Sequence, residues 1–174
     1  MRLRVRARKT VLRPLVFLAY LEVKDSELGL TVARVEIDLP ERFGYECDIP
    51  IRIGDINYGG HLGNDAVLAI AHEARLQFLA AHDLSETDVG GCGIIMADAA
   101  IVYRSEAFYG QTVRVQVGAV PAGRSGCDLF YLLTDREDER EIARIKTGIV
   151  FFDYERRKPT RMPEAFRTAI SLDD

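Results

Sequence analysis

From Tyr45 the chain alternates: Tyr45, Cys47, Ile49, Ile51 and Ile53 are separated by Glu46, Asp48, Pro50 and Arg52. A period of two predicts a strand with one apolar face. Pro50 has no N–H to give a ladder, so this strand is expected at a sheet edge or a bulge. A shorter alternation, Val35, Ile37 and Leu39 against Arg34, Glu36 and Asp38, precedes it and is expected to pair locally. A glycine-rich loop follows at 55–63. Asn64 or Asp65 then offers a short side-chain oxygen to cap a helix. Residues 66–81 hold neither Pro nor Gly and are dense in Ala and Leu, which predicts that helix. Only His72, Glu73, Arg75 and Gln77 interrupt its apolar surface, so it is expected to be buried nearly all round.

The remaining pattern is strand-like. Residues 94–104, 112–120, 128–134 and 142–154 predict four strands, with 121–126 and the charged 135–141 as turns between antiparallel neighbours. One strand, one helix and four strands argue an α+β fold with a long antiparallel sheet wrapped around a single helix. Residues 149–152 are apolar on both sides, which points to burial of the sheet's other face against another copy. Asp98, mid-strand among Ile94, Ile95, Met96 and Ile101, reads as a structural partner at an interface.

Composition narrows the classes. A net charge of −4 gives no basic face for nucleic-acid phosphates. Three unpaired cysteines, Cys47, Cys92 and Cys127, fit a reducing, cytoplasmic compartment and argue against disulfides or a zinc site. The three histidines have no metal-ligand spacing. A Cys92–His61 nucleophile pair is set aside, because Cys92 sits between two glycines at the start of an apolar strand. Residues 1–13 carry six basic side chains before a short apolar run, too short to span a membrane and without a cleavage site. Residues 1–30 are therefore read as an extension, disordered or an artefact of the assigned start, and 31–170 as the domain.

The run Gly54-Asp55-Ile56-Asn57-Tyr58-Gly59-Gly60-His61-Leu62-Gly63-Asn64, then His72-Glu73-Ala74-Arg75, resembles the signature of hotdog-fold thioesterases of the 4-hydroxybenzoyl-CoA thioesterase-like branch. Tyr103-Arg104-Ser105-Glu106, Gly110-Gln111, Arg157-Lys158-Pro159 and Met162-Pro163 are also similar. The resemblance covers about residues 31–168. It implies an acyl-CoA or acyl-carrier-protein thioester hydrolase, working as a homodimer or homotetramer with sites between subunits. It implies no cofactor beyond the CoA of the substrate. The family's catalytic carboxylate is the second acid of Asp-x-Asp, and here that position is Asn57. An amide can hold water or donate to a carbonyl but can neither take a proton nor attack as a carboxylate.

Thioester hydrolysis needs a nucleophile, a group to activate it and donors for the oxyanion. By resemblance the carbonyl meets the backbone N–H groups near Gly63, Asn64 and Asp65, where a helix N-terminus supplies free donors and a positive dipole end. The alternative is that these amides are capped. Glu73, a carboxylate in an apolar helix, is the expected general base or nucleophile; the alternative is an ion pair, with Arg75 for one. Asp55 is expected to activate water through Asn57 or to close an Asx-type turn. His61 is expected to polarise the thioester or to bond the loop backbone. Arg124, Ser125, Arg156, Arg157 and Lys158 are candidates for the CoA phosphates, or plain solvated surface. Two other functions remain open from the residues: a hotdog dehydratase or hydratase, on His61 and Glu73, and an acyl-thioester-binding protein without catalysis, on Asn57.

Overall fold

The computed structural model describes residues 35–171, which belong to one compact unit; the expected extension at 1–30 lies outside the described residues. Strand β1 (Tyr45–Pro50) is followed by a 3-10 turn (Ile53–Asp55) and helix α1 (Asn64–Ala80). Strands β2 (Gly93–Tyr103), β3 (Thr112–Ala122), β4 (Gly126–Asp135) and β5 (Glu141–Asp153) then run in sequence. The alternation that predicted them is their burial pattern. In β4, Cys127, Leu129, Tyr131 and Leu133 are buried and the residues between them are half-exposed. A two-residue strand β6 (Lys158–Pro159) and helix α2 (Glu164–Ile170) close the chain, and nothing in the sequence pattern had marked either.

The sheet is antiparallel with order β1-β3-β4-β5-β2, and β6 pairs with β5. β1 is thus an edge strand, as Pro50 demands; the apolar alternation at 51–53 belongs not to it but to the turn beyond. The inner face presents Val113, Val115, Leu129, Tyr131, Leu133, Ile145 and Phe151 to α1, all essentially without solvent contact. α1 answers with Val67, Ile70, Ala71, Ala74 and Phe78. Each large apolar side chain so buried contributes about 1.5–3 kcal/mol. Phe166 of α2 packs edge-on against Phe78 and Phe151, sealing one end of the core.

Two expectations are corrected here. The segment at 35–40 forms no strand. It lies across the sheet's outer face, where Arg144 Nη1 donates to the Ile37 carbonyl at 3.2 Å and Pro40 sits over Gly118. A Cβ at Gly118 would come within 2.7 Å of Pro40 Cγ. This chain itself therefore covers part of the face that the sequence assigned to another copy. α1 is also not buried all round: Asn64, Asp65, Leu68, Ala69, His72, Glu73 and Leu76 are exposed. With five alanines the helix tolerates either environment, so its composition did not report which face met water.

Candidate functional site

The loop between β1 and α1 is stitched down by backbone bonds. Ile51 N–H donates to Gln111 O at 2.9 Å, Leu62 N–H to Ala107 O at 2.7 Å and Gly63 N–H to Asp55 O at 2.8 Å. The Asp55 carboxylate accepts the Arg52 N–H at 2.7 Å, the turn-closing arrangement. Asn57 faces two ways. Its Oδ1 accepts the Gly59 N–H at 2.8 Å, which turns its NH2 toward His61 Nδ1 at 3.2 Å. The Leu62 carbonyl lies 3.4 Å from the same nitrogen; the shorter contact with the amide donor favours Nδ1 as acceptor and the proton on Nε2. Gly59 makes room for that ring: a Cβ there would stand 2.9 Å from His61 Nε2 and 3.1 Å from Asn57 Oδ1.

α1 begins without a side-chain cap. Gly63, in extended conformation, is the N-cap residue, in place of the expected Asn64 or Asp65, which instead form the first turn. The first intrahelical bond runs from Val67 N–H to Gly63 O at 3.1 Å. The N–H groups of Asn64, Asp65 and Ala66 are thereby left for another acceptor. The Tyr103 hydroxyl, from the far end of β2, donates to the Asn64 carbonyl at 3.0 Å and fixes the start of α1 beside the end of β2.

From that start a groove of about 310 Å³ opens between α1 and β2. Asp65, Leu68, Ala69, His72 and Arg75 form one wall, Met96 and Ala99 the other. The helix residues recur at intervals of three and four, one stripe of α1. Across the groove β2 is the outer strand, and Met96–Ala99 are exposed.

Glu73 is exposed and lies off this groove. Its Oε1 accepts Gln77 Nε2 at 2.9 Å. It is on the β1 flank, where it is among the charges that, behind burial and Asp48, push the Cys47 thiol up to about 11. The premise of a carboxylate stranded in a buried helix is thus corrected, and its alternative partner as well. Arg75, with its side chain 6% exposed, pairs with Glu86 from the loop after α1, Nε to Oε1 at 2.7 Å. The other oxygen of Glu86 meets His72 Nε2 at 3.3 Å. Partial burial works to raise the Glu86 carboxyl, but Arg75 and His72 outweigh it and hold it below the usual carboxylate range. Sequence reasoning missed this trio. The signal available was the spacing of Asp65, Leu68, His72 and Arg75, which places them on one stripe; the sequence separation of Glu86 gave no hint.

The CoA candidates gather elsewhere. Arg124 and Ser125 occupy the β3–β4 turn, and Arg156, Arg157 and Lys158 the β5–β6 turn, where Arg156 is tied to Asp153. Both turns are at the end of the sheet opposite the start of α1, about 33 Å away along an eleven-residue strand. Cys92, just before β2, lies at that far end too. His61 is held beside the 107–111 connection, so the two do not meet. Asp98 pairs with Lys146 on the outer face at 2.9 Å. Among the described residues no group of three or more His, Cys, Asp or Glu is placed to hold a metal, and no helix is long and apolar enough to cross a membrane.

An antiparallel sheet packed on a central helix, with a glycine-rich loop feeding an uncapped helix start, defines a hotdog-fold protein. The chain belongs to the thioesterase-like superfamily, which it matches over residues 51–170. Among solved structures it is similar to a 1,4-dihydroxy-2-naphthoyl-CoA thioesterase from Synechocystis, with TM-score 0.68 and 22% identity over 72% of this chain and 94% of that one. It is similar to a DHNA-CoA thioesterase from Staphylococcus aureus, with TM-score 0.63 and 18% identity over 71% and 88% of the two chains. A third, SAV2348 from Staphylococcus aureus in complex with CoA, has TM-score 0.66 and 18% identity over 78% and 85%. At these identities the likeness establishes the fold. No curated protein sequence matches the chain.

Proposed function

We propose that this protein hydrolyses acyl thioesters of CoA or of an acyl carrier protein, in a cytoplasmic homodimer or homotetramer whose sites lie between copies. The observation that carries the reading is the uncapped start of α1, with three free N–H groups at the mouth of a groove. A thioester carbonyl placed there gains donors and the positive end of a helix dipole as its oxygen becomes negative. Water attacks the carbonyl carbon and gives up a proton; the C–S bond then breaks and its electron pair leaves on sulfur. The products are a carboxylic acid and a thiol.

Two features favour a second copy. β2 is an open edge with an exposed middle, a template for antiparallel pairing. Such pairing sets the far end of one sheet beside the near end of the other. Arg124, Ser125, Arg156, Arg157 and Lys158, about a strand's length from their own helix start, then flank the partner's, where the CoA phosphates would lie. Asp55, Asn57 and His61 hold the loop that presents the helix start, with the His61 Nε2–H as a further donor. Glu73 is bonded to Gln77 off the groove and about 12 Å along the axis from its own helix start, so in our reading the water-activating carboxylate at each carbonyl is the Glu73 that a second copy's α1 brings to it.

A panel of acyl-CoAs and acyl carrier proteins with free-thiol detection tests this. Thiol release by the wild type, with kcat lowered about a hundredfold or more in Glu73→Gln, supports it. Release that survives both Glu73→Gln and Asn57→Ala sinks the site assignment. No release from any thioester favours the non-catalytic binding protein, for which the amide at Asn57 is the specific observation; hydration of an enoyl thioester instead favours the hydratase.

A further inference from the structure

The groove has a polar end as well as a catalytic mouth. His72 stands two turns up the stripe from Asp65, about 10 Å along the helix axis, and Leu68, Ala69, Met96 and Ala99 line the interval. The ring is held from behind. Glu86 takes His72 Nε2 on one oxygen and Arg75 Nε on the other. The buried Tyr131 hydroxyl, bonded to Thr147, lies near enough to feel the Arg75 charge. Both carboxylate oxygens of Glu86 are therefore engaged, and the Arg75 charge is met from inside the protein.

This chain of contacts fixes what the groove's end offers. Glu86 is ionised and can only accept, so His72 Nε2 must carry a hydrogen and donate it. When the ring is neutral, Nδ1 is a bare lone pair on a half-exposed side chain that lines the groove. In that state the groove end offers one hydrogen-bond acceptor. It has no spare cation, because Arg75 is matched by Glu86 while Asp65 adds a negative charge at the mouth. An apolar tail displaces the water that otherwise serves that half-exposed lone pair, and a terminal carboxylate meets lone pair and net negative charge together.

Resting on the thioesterase reading above, we infer that His72 determines specificity, selecting acyl groups that carry a hydroxyl or other neutral hydrogen-bond donor about 10 Å beyond the thioester carbonyl. That is roughly the reach of an octanoyl chain. The carbonyl lies at the helix start, the chain follows the groove, and its distal O–H donates to His72 Nδ1.

The test compares kcat/KM for ω-hydroxyoctanoyl-CoA, octanoyl-CoA and octanedioyl-CoA. The wild type is expected to prefer the hydroxylated substrate over octanoyl-CoA about three- to fivefold, the worth of one partly solvated hydrogen bond, and to take the dicarboxylic one least. His72→Phe fills the same space without the acceptor, and the hydroxyl-to-alkyl ratio should fall to about one. His72→Asn, which keeps an acceptor, should restore part of it. Hydrolysis of all three with no hydroxyl preference, or a preference that survives His72→Phe, overturns the inference while leaving the thioesterase reading intact. Absence of hydrolysis of any acyl thioester overturns both.

Discussion

Glu86→Ala removes the one carboxylate that holds Arg75 and His72. The Arg75 guanidinium stays where it is, with its side chain 6% exposed, and loses a 2.7 Å charge-assisted bond. Such a bond is worth about 1.5–3 kcal/mol when both partners are enclosed. Glu86 itself keeps 30% of its side-chain surface in water, so solvent screening trims the figure, and about 1–2 kcal/mol is expected. For a chain of this size that lowers Tm by roughly 2–8 °C, readable by circular dichroism at neutral pH. The pH dependence gives a second check. The Glu86 carboxyl titrates lower in the folded than in the unfolded protein. Its contribution is therefore complete above the unfolded carboxyl value near ~4.3 and is lost as pH falls through the lower folded one. The gap between wild type and Glu86→Ala should be present at pH 7 and close as the carboxyl is protonated, below about pH 4. A Tm within a degree of wild type at pH 7, or a gap undiminished below about pH 3, would refute the ion-pair account.

Other contacts carry outcomes of their own. Gly59→Ala pushes a methyl against His61 and Asn57; kcat/KM for any hydrolysed thioester should drop about tenfold or more with little change in Tm, and equal activity would show that the ring's position is irrelevant. Burial, with Asp128 next, pushes the Cys127 thiol up to about 12, and Cys47 is held near 11, so a disulfide reagent at pH 7.5 should modify them slowly until urea unfolds the chain. The sign is that of a raised acid: the native state loses stability as pH climbs above the free-thiol value of about 8.5. Leu68 and Leu76 are exposed on α1; a Leu68→Asp, Leu76→Asp double variant should shift sedimentation from dimer toward monomer with the fold retained, and an unchanged assembly would place the interface elsewhere.

The elements with long runs of one period were legible in the sequence. β3, β4 and β5 differ from their expected bounds by only a few residues, because alternating burial against one helix leaves a period of two. Pro50 correctly marked an edge. What failed had no local signal. Residues 35–40 alternate like a strand, yet Pro40 and the close approach to Gly118 lay them across the sheet instead. The fully described face of α1 depended on which alanines met solvent, and alanine is silent about that. In the site, the loop residues were found from their motif, and their contacts corrected their roles: Asp55 closes a turn and Asn57 orients His61. The Arg75–Glu86–His72 chain was invisible, since its carboxylate comes from a loop that only folding brings to the helix.

The central claim is that the first turn of α1 receives the thioester oxygen. A crystal structure with a non-hydrolysable acyl-CoA ketone analogue tests it most directly. The account predicts the carbonyl oxygen about 2.7–3.1 Å from N–H groups among Asn64, Asp65 and Ala66, the acyl chain in the α1–β2 groove toward His72, and the nucleotide at the basic turns of a second copy. A carbonyl bound away from the start of α1, with those three N–H groups still facing water, would contradict it.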